Sequence, residues 1–194
     1  MKFISFWYDK AGSTYYKTAH DRLEKQMKAL HYEFSFEKLS FNQSSYEHVT
    51  LHKPTFILEK LHKENKPVCW IDIDCQFVLP LDLTIFTGDI CLGRRDIERK
   101  APHASVVYAN NTKSSIDFLT SWKNRCDSFK NDPTYEGGDH SQLILTYQNY
   151  DLSKIDIRQI DSLCSTGIHS YINIGVSPGG FEAESLKFRK FGNY

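Results

Sequence analysis

The sequence has no excess of charge of either sign: 24 lysine and arginine side chains face 24 aspartate and glutamate side chains. Nothing global therefore demands a polyanion or an anionic membrane as partner. Local basic clusters exist, Arg94-Arg95 with Arg99-Lys100, and Lys187 with Arg189 and Lys190, and such clusters read first as solvated surface. No Cys-x-x-Cys pair occurs. Cys69, Cys75, Cys91, Cys126 and Cys164 are scattered and odd in number, which argues against a disulfide scaffold or a zinc site and for a reducing compartment. No apolar run approaches a membrane span, and the stretch from Met1 to Asp9 is too short for a signal peptide and reads as a first strand. The expectation is a cytoplasmic protein with no membrane span. Internal repeats and low-complexity tracts are also missing. What the chain has in plenty is aromatic side chains, 14% of 194 residues with 11 Tyr and 13 Phe, whose default use is core packing. This length suits one domain with a substantial core, with or without a small extension.

The most informative stretch is Pro67-Val68-Cys69-Trp70-Ile71-Asp72-Ile73-Asp74-Cys75-Gln76-Phe77. Val68 to Ile71 is an unbroken apolar run after a proline, rich in β-branched and aromatic residues, the pattern of a strand buried on both faces in a mostly parallel sheet. Two carboxylates follow, Asp72 and Asp74, separated by one apolar residue. Side chains alternate along a strand, so the two acids emerge together where the strand leaves the sheet. Open α/β sheets bind their ligands at that end. Two like charges this close repel, and a divalent cation is the simplest relief.

The rest of the chain supplies the frame. Residues 2 to 8 predict a strand, and Gly12, Ser13 and Thr14 have the chemistry of a turn and a helix cap. Ala19, Leu23, Met27 and Leu30 recur at helical spacing. A second strand is expected over residues 33 to 39 and a loop over 42 to 45. Pro54 suits the first turn of a helix with Phe56, Ile57 and Leu61 on its apolar side. The first 75 residues thus read strand, helix, strand, helix, strand, the grammar of an α/β sheet. Further on, a short strand is expected over 89 to 92, a polar loop over 94 to 103, and a strand over 105 to 109. Ile116, Leu119, Trp122, Cys126 and Phe129 predict a helix. Gly137-Gly138 predicts a turn into another, capped by Asp139. A late strand is expected over 172 to 176, and Pro178-Gly179-Gly180 ends it.

Several of these pieces, in this order, resemble the GT-A nucleotide-diphospho-sugar transferases, whose hallmark is an Asp-x-Asp at the end of a central strand. The wording Pro-Val-Cys-Trp-Ile-Asp-Ile-Asp is close to the family's. Thr14-Tyr15-Tyr16 opens a helix after the first strand, and Lys53-Pro54 opens one upstream of the acid pair. Tyr108-Ala109-Asn110-Asn111-Thr112 precedes the helix with Trp122, and Gly138-Asp139 precedes Gln142-Leu143. The resemblance runs from residue 2 to about 150 and implies an α/β fold. Its sheet would be Rossmann-like and mostly parallel, flanked by helices, in one compact domain over residues 1–180 with an aromatic, basic tail over 181–194.

It also implies sugar transfer from a nucleotide-diphosphate donor, most often a uridine one. Asp74 would bind Mn²⁺ or Mg²⁺ directly, and Asp72 would contact the ribose or reach the metal through water. Tyr8, Thr14 and Tyr15 fall in the region that holds base and ribose. Lys53 would sit near the donor, and Asp139 near the sugar or the acceptor. His169 is the candidate third metal ligand, with Ser177 equally well placed by order. His140 departs from the Gln or Glu common beside Asp139, and the chain is short for the family, so acceptor-binding parts are reduced or come from a partner chain. The acceptor stays open among a glycan, a protein and a hydroxymethylated DNA base. Two other readings use the same acids: a metal-dependent nucleotidyltransferase or phosphohydrolase, which needs further carboxylates at the metal, and a non-catalytic sugar-nucleotide binding module.

Overall fold

Alternation along the first strand sets the layers. In β1 (Lys2–Trp7), Phe3 points to one side of the sheet and Ile4 and Phe6 to the other, all buried. The computed structural model describes residues 1–9, 12–41, 46–96, 101–132, 134–135, 137–161, 163–165 and 171–174. Following β1 are α1 (Tyr15–Ala29), β2 (Phe34–Lys38), α2 (Tyr46–Thr50), α3 (Lys53–Glu64), β3 (Val68–Ile71) and β4 (Gln76–Phe77). Then come β5 (Ile90–Asp96), β6 (Ala101–Ala109), α4 (Lys113–Asp127), α5 (Asp139–Asn149), β7 (Ile157–Ile160), β8 (Cys164–Ser165) and β9 (Ile172–Asn173). The fold is α/β, as the sequence predicts.

The main sheet has six strands in the order β2-β1-β3-β6-β5-β7, and a smaller one has the order β4-β9-β8. In the main sheet only β6 runs against the others: β1 is parallel to β2 and β3, β6 is antiparallel to β3 and β5, and β7 is parallel to β5. All four residues of β3 are buried, which a central strand covered on both faces requires. Val68 and Trp70 pack with Phe56, Ile57 and Leu61 of α3, Phe118 and Trp122 of α4, and Leu143 of α5. Cys69 and Ile71 pack on the opposite side with Leu23 and Met27 of α1 and with Phe77 and Ile172 of the small sheet.

Local chemistry explains most boundaries, and three differ from the sequence reading. Neither Ser13 nor Thr14 caps α1 through the expected N2 or N3 amide. The Asp9 carboxylate does so instead, accepting from the amides of Tyr16 (2.8 Å) and Lys17 (3.0 Å). Asp139 is the first residue of α5 and Gly138 its cap, so the Asp139 side chain is free for other work. The segment 94 to 103, expected as a loop, is largely strand: β5 runs on to Asp96 and β6 begins at Ala101, with residues 97–100 outside the described set. β9 accounts for Ile172–Asn173 of the expected late strand, and the tail 181–194 lies outside the described residues. Among the described residues, no helix is long and apolar enough to cross a membrane.

Candidate active site

The acid pair sits where β3 leaves the sheet, at the carboxyl ends of β1, β3, β5 and β7, with β6 arriving from the opposite direction. Two backbone bonds shape the turn: the Asp72 amide donates to the Ser105 carbonyl (2.9 Å), and the Cys75 amide to the Asp72 carbonyl (2.9 Å). The neighbouring strand is irregular here. Pairing of β5 with β6 jumps from Leu92 opposite Val107 to Gly93 opposite His103, a bulge that takes residues 104–106 out of step. The carbonyls of Ala104 and Ser105 are thereby turned to the site.

Lys53 organises the charges. As the first residue of α3, followed by Pro54, it is delivered to the end of β3 by the helix that packs on Trp70. Its Nζ lies 2.8 Å from Asp72 Oδ1 and 2.8 Å from Asp139 Oδ2, and donates to the Ala104 carbonyl at 3.1 Å. The ammonium also stands over the Trp70 ring, 5.2 Å from its centroid, a cation–π contact. Asp139 is held in place from two sides: Trp122 Nε1 donates to its carbonyl (3.0 Å), and its amide donates to Thr50 Oγ1 (3.3 Å). Asp72 Oδ1 takes a second bond from Trp70 Nε1 at 2.7 Å. Lys53 and Asp139 are 5% and 7% exposed at the side chain, whereas Asp72 is 25% exposed. Of these three groups, Asp72 is the one a ligand can reach.

The protonation states follow from this arrangement. Burial alone would push the Lys53 ammonium down, but the charges of Asp139 and Asp72 outweigh it and hold the group well above the ordinary lysine range. Burial likewise works to raise Asp72, and the Lys53 charge with bonds from Lys53, Ser105 and Trp70 overcomes it, keeping this carboxylate below its usual value. Asp139 goes the other way: burial raises it, Lys53 opposes, and the Asp72 charge adds to the rise. Asp74 is pushed up to about 6 by burial and by the Asp72 charge, against Lys53 and Arg22. An ionised Asp74 at neutral pH is therefore under-compensated by the protein, the condition in which a cation is favoured. Carboxylate oxygens are hard donors that suit Mg²⁺ or Mn²⁺. The nearby Cys75 thiol is pushed far up by burial and the two acids. Asp72 and Asp74 fit a divalent cation.

Sequence reasoning picked out Tyr15 on the face of α1 turned to this turn and missed Arg22 and Gln26. Arg22 Nη2 donates to the carbonyls of Asp74 (3.2 Å) and Cys75 (3.4 Å). One turn on, the Gln26 amide brackets Phe77, donating to its carbonyl and accepting from its amide, each at 3.0 Å. Tyr15 is partly exposed, and burial together with the Asp74 charge raises its phenol, so it belongs to the same neighbourhood. The signal was present: residues 15, 22 and 26 form a polar row beside the apolar row of Ala19, Leu23 and Met27, at helical spacing.

The remaining candidates are dispersed. Thr14 is exposed at the start of α1, and Tyr8 packs edge-on against Phe41, 5.5 Å between centroids, on the α3 side of the sheet. Arg94 is occupied by Asp161 (2.9 Å) and Gln159 (3.1 Å) on β7 and the residue after it. His140 Nδ1 accepts from the Ala104 amide at 3.3 Å, with the His103 ring 4.6 Å away. His169 and Ser177 lie outside the described residues.

No family model and no curated protein matches this sequence. Solved structures match it by fold. A crystal structure of a glycosyltransferase involved in the glycosylation of the major capsid of PBCV-1 superposes with a TM-score of 0.62 at 14% identity, over 97% of each chain. The glycosyltransferase GlyE of Streptococcus pneumoniae TIGR4 matches with a TM-score of 0.47 at 13% identity, over 82% of this chain and 44% of that one. The chain described here has the α/β fold of the first of these glycosyltransferases.

Proposed function

We propose that the protein is a metal-dependent glycosyltransferase that moves a sugar from a nucleotide-diphosphate donor, a uridine one first, to a hydroxyl-bearing acceptor. The observation that carries this reading is the acid pair at the carboxyl end of the central strand, with Asp72 ionised by Lys53 and Asp74 left short of positive charge. The fold likeness agrees with it.

In this reading Asp74 holds the cation, and Asp72 touches the ribose or reaches the cation through water. A bound Mn²⁺ or Mg²⁺ would supply Lewis-acid neutralisation of the diphosphate as it leaves. Lys53 keeps Asp72 charged and oriented, so that its exposed edge meets the donor with no reorganisation at the moment of reaction. Tyr15, partly exposed beside Asp74, offers a flat apolar face with a hydroxyl for the base and ribose. Asp139 ties the start of α5 to the donor side through Lys53. A nucleotidyltransferase or phosphohydrolase would want more carboxylates on the metal, and Asp139, the third acid of the cluster, is instead committed to Lys53. Five buried free thiols agree with a reducing, cytoplasmic setting.

The test is calorimetric titration of UDP with Mn²⁺ present and again with EDTA, with Asp74→Ala as control. Binding that needs both the metal and Asp74 supports the transferase, and donors can then be screened against glycan, protein and hydroxymethylated-DNA acceptors. Donor binding with no turnover on any acceptor makes the protein a binding module. Absence of binding by UDP and every other nucleotide diphosphate rules the reading out.

A further inference from the structure

We infer that Arg22 is a positioning residue for the metal ligand Asp74, acting from the opposite side of the sheet to Lys53. This deepens the transferase reading and rests on it. The acid pair stands between two cations that treat it differently. Lys53 meets the Asp72 carboxylate itself, whereas Arg22 meets the main chain, one nitrogen reaching the carbonyls of both Asp74 and Cys75. The guanidinium is half-buried. An arginine is not placed in such a position for solvation. Bridging two successive carbonyls fixes the peptide plane between them, and with it the direction in which the Asp74 side chain leaves the turn.

The positive charge is set on the carbonyls of Asp74 and Cys75, beside the Asp74 carboxylate. A cation bonded directly to the Asp74 oxygens would compete with a metal. One held by the adjacent carbonyls leaves the oxygens to the metal. Lysine would keep the charge, but its compact ammonium on a flexible stem lacks the planar guanidinium that fixes the direction of the N–H groups. Gln26 provides the internal contrast. It grips the same segment three residues further on, at Phe77, with an uncharged side chain, so it shares the clamping and not the charge.

The experiment is a Mn²⁺ titration followed by water-proton relaxation, with and without UDP, on wild type, Arg22→Gln, Arg22→Lys and Gln26→Ala, with thermal unfolding of each metal-free protein alongside. Arg22→Gln should weaken Mn²⁺ binding by about 10- to 100-fold, the usual effect of losing a group that orients a metal ligand. Arg22→Lys should recover part of that loss. Gln26→Ala should lower the unfolding temperature while leaving Mn²⁺ affinity unchanged. Equal Mn²⁺ affinity in wild type and Arg22→Gln overturns the inference, as does a loss that Gln26→Ala reproduces in proportion to its loss of stability. A defect in UDP binding alone, with Mn²⁺ affinity intact, also overturns it and makes Arg22 a donor contact. If wild type itself binds no Mn²⁺, the transferase reading fails first and the inference goes with it. If Arg22→Gln does not fold, Arg22→Lys against Gln26→Ala carries the comparison.

Discussion

Asp72 and Asp139, far apart in sequence, share one ammonium group: Lys53 Nζ lies 2.8 Å from a carboxylate oxygen of each. One cation between two acids, Asp139 buried and Asp72 partly exposed, leaves the ionised cluster with a net negative charge before Asp74 is added. The site is therefore a structural joint, linking β3, α3 and α5.

Removing the shared cation should be costly. Lys53→Met leaves the buried Asp139 facing Asp72 without compensation, and loss of one partner from a buried ion pair destabilises by about 3–5 kcal/mol. The cost should fall in the double variant Lys53→Met with Asp139→Asn, because the stranded charge is gone. Urea unfolding of the two singles and the double, read as a mutant cycle, measures the coupling.

Asp74 should behave in the opposite sense. Its carboxyl is pushed up to about 6 by burial and by Asp72, so at neutral pH its charge works against the metal-free fold. Asp74→Asn should leave the metal-free protein at least as stable as wild type, with a gain on the order of 1 kcal/mol, about 3 °C in unfolding temperature. The same variant should lose the thermal stabilisation that Mn²⁺ with UDP gives wild type. Thermal scans with and without Mn²⁺ and UDP check both halves.

His52 should give the fold a specific acid sensitivity. It precedes α3 and lies among aromatics, its ring 5.8 Å from Phe6 and 5.7 Å from Phe41. Burial, then the Lys130 charge, hold its imidazole below the ordinary 6.5, against the pull of Glu59 and Asp127. A histidine with a lowered folded pKa binds its proton more readily when unfolded. Its share of stability is complete above 6.5 and is lost as pH falls from there toward the folded value. Urea unfolding at about pH 7.5 and about pH 5.5 should show a smaller drop for His52→Gln than for wild type. Equal drops would remove His52 from the account.

Gly93 should tolerate no side chain. It lies at the β5 side of the bulge, and a Cβ there would overlap Cys164 Sγ. Gly93→Ala should destabilise by about 1–3 kcal/mol, the range for overpacking. Cys164→Ala opens the needed space, so the double variant should be more stable than the two losses added together. Chemical unfolding of the three proteins tests this.

Much of the fold was legible from periodicity. The unbroken run Val68 to Ile71 marked a strand covered on both faces, and Ala19, Leu23 and Met27 marked the buried side of α1. The acid pair was legible for the same reason, since alternation at the end of such a strand throws Asp72 and Asp74 out together. The short elements α2, β4, β7 and β8 were not, because few residues carry too little pattern to separate strand or helix from loop.

What the sequence by itself determined is thus the order of elements and the place of the acid pair, because both depend on spacings of two or four residues that every chain segment carries within it. Only the tertiary structure decided the rest. It reversed β6 between β3 and β5, and turned Asp139 from a helix cap into a partner of Lys53. It also brought Arg22 of α1 onto the carbonyls of Asp74 and Cys75. Local spacing does not encode these contacts, since each joins segments that meet only when helices pack on the two faces of the sheet, and a charge finds its partner only once burial has taken away the water that otherwise screens it.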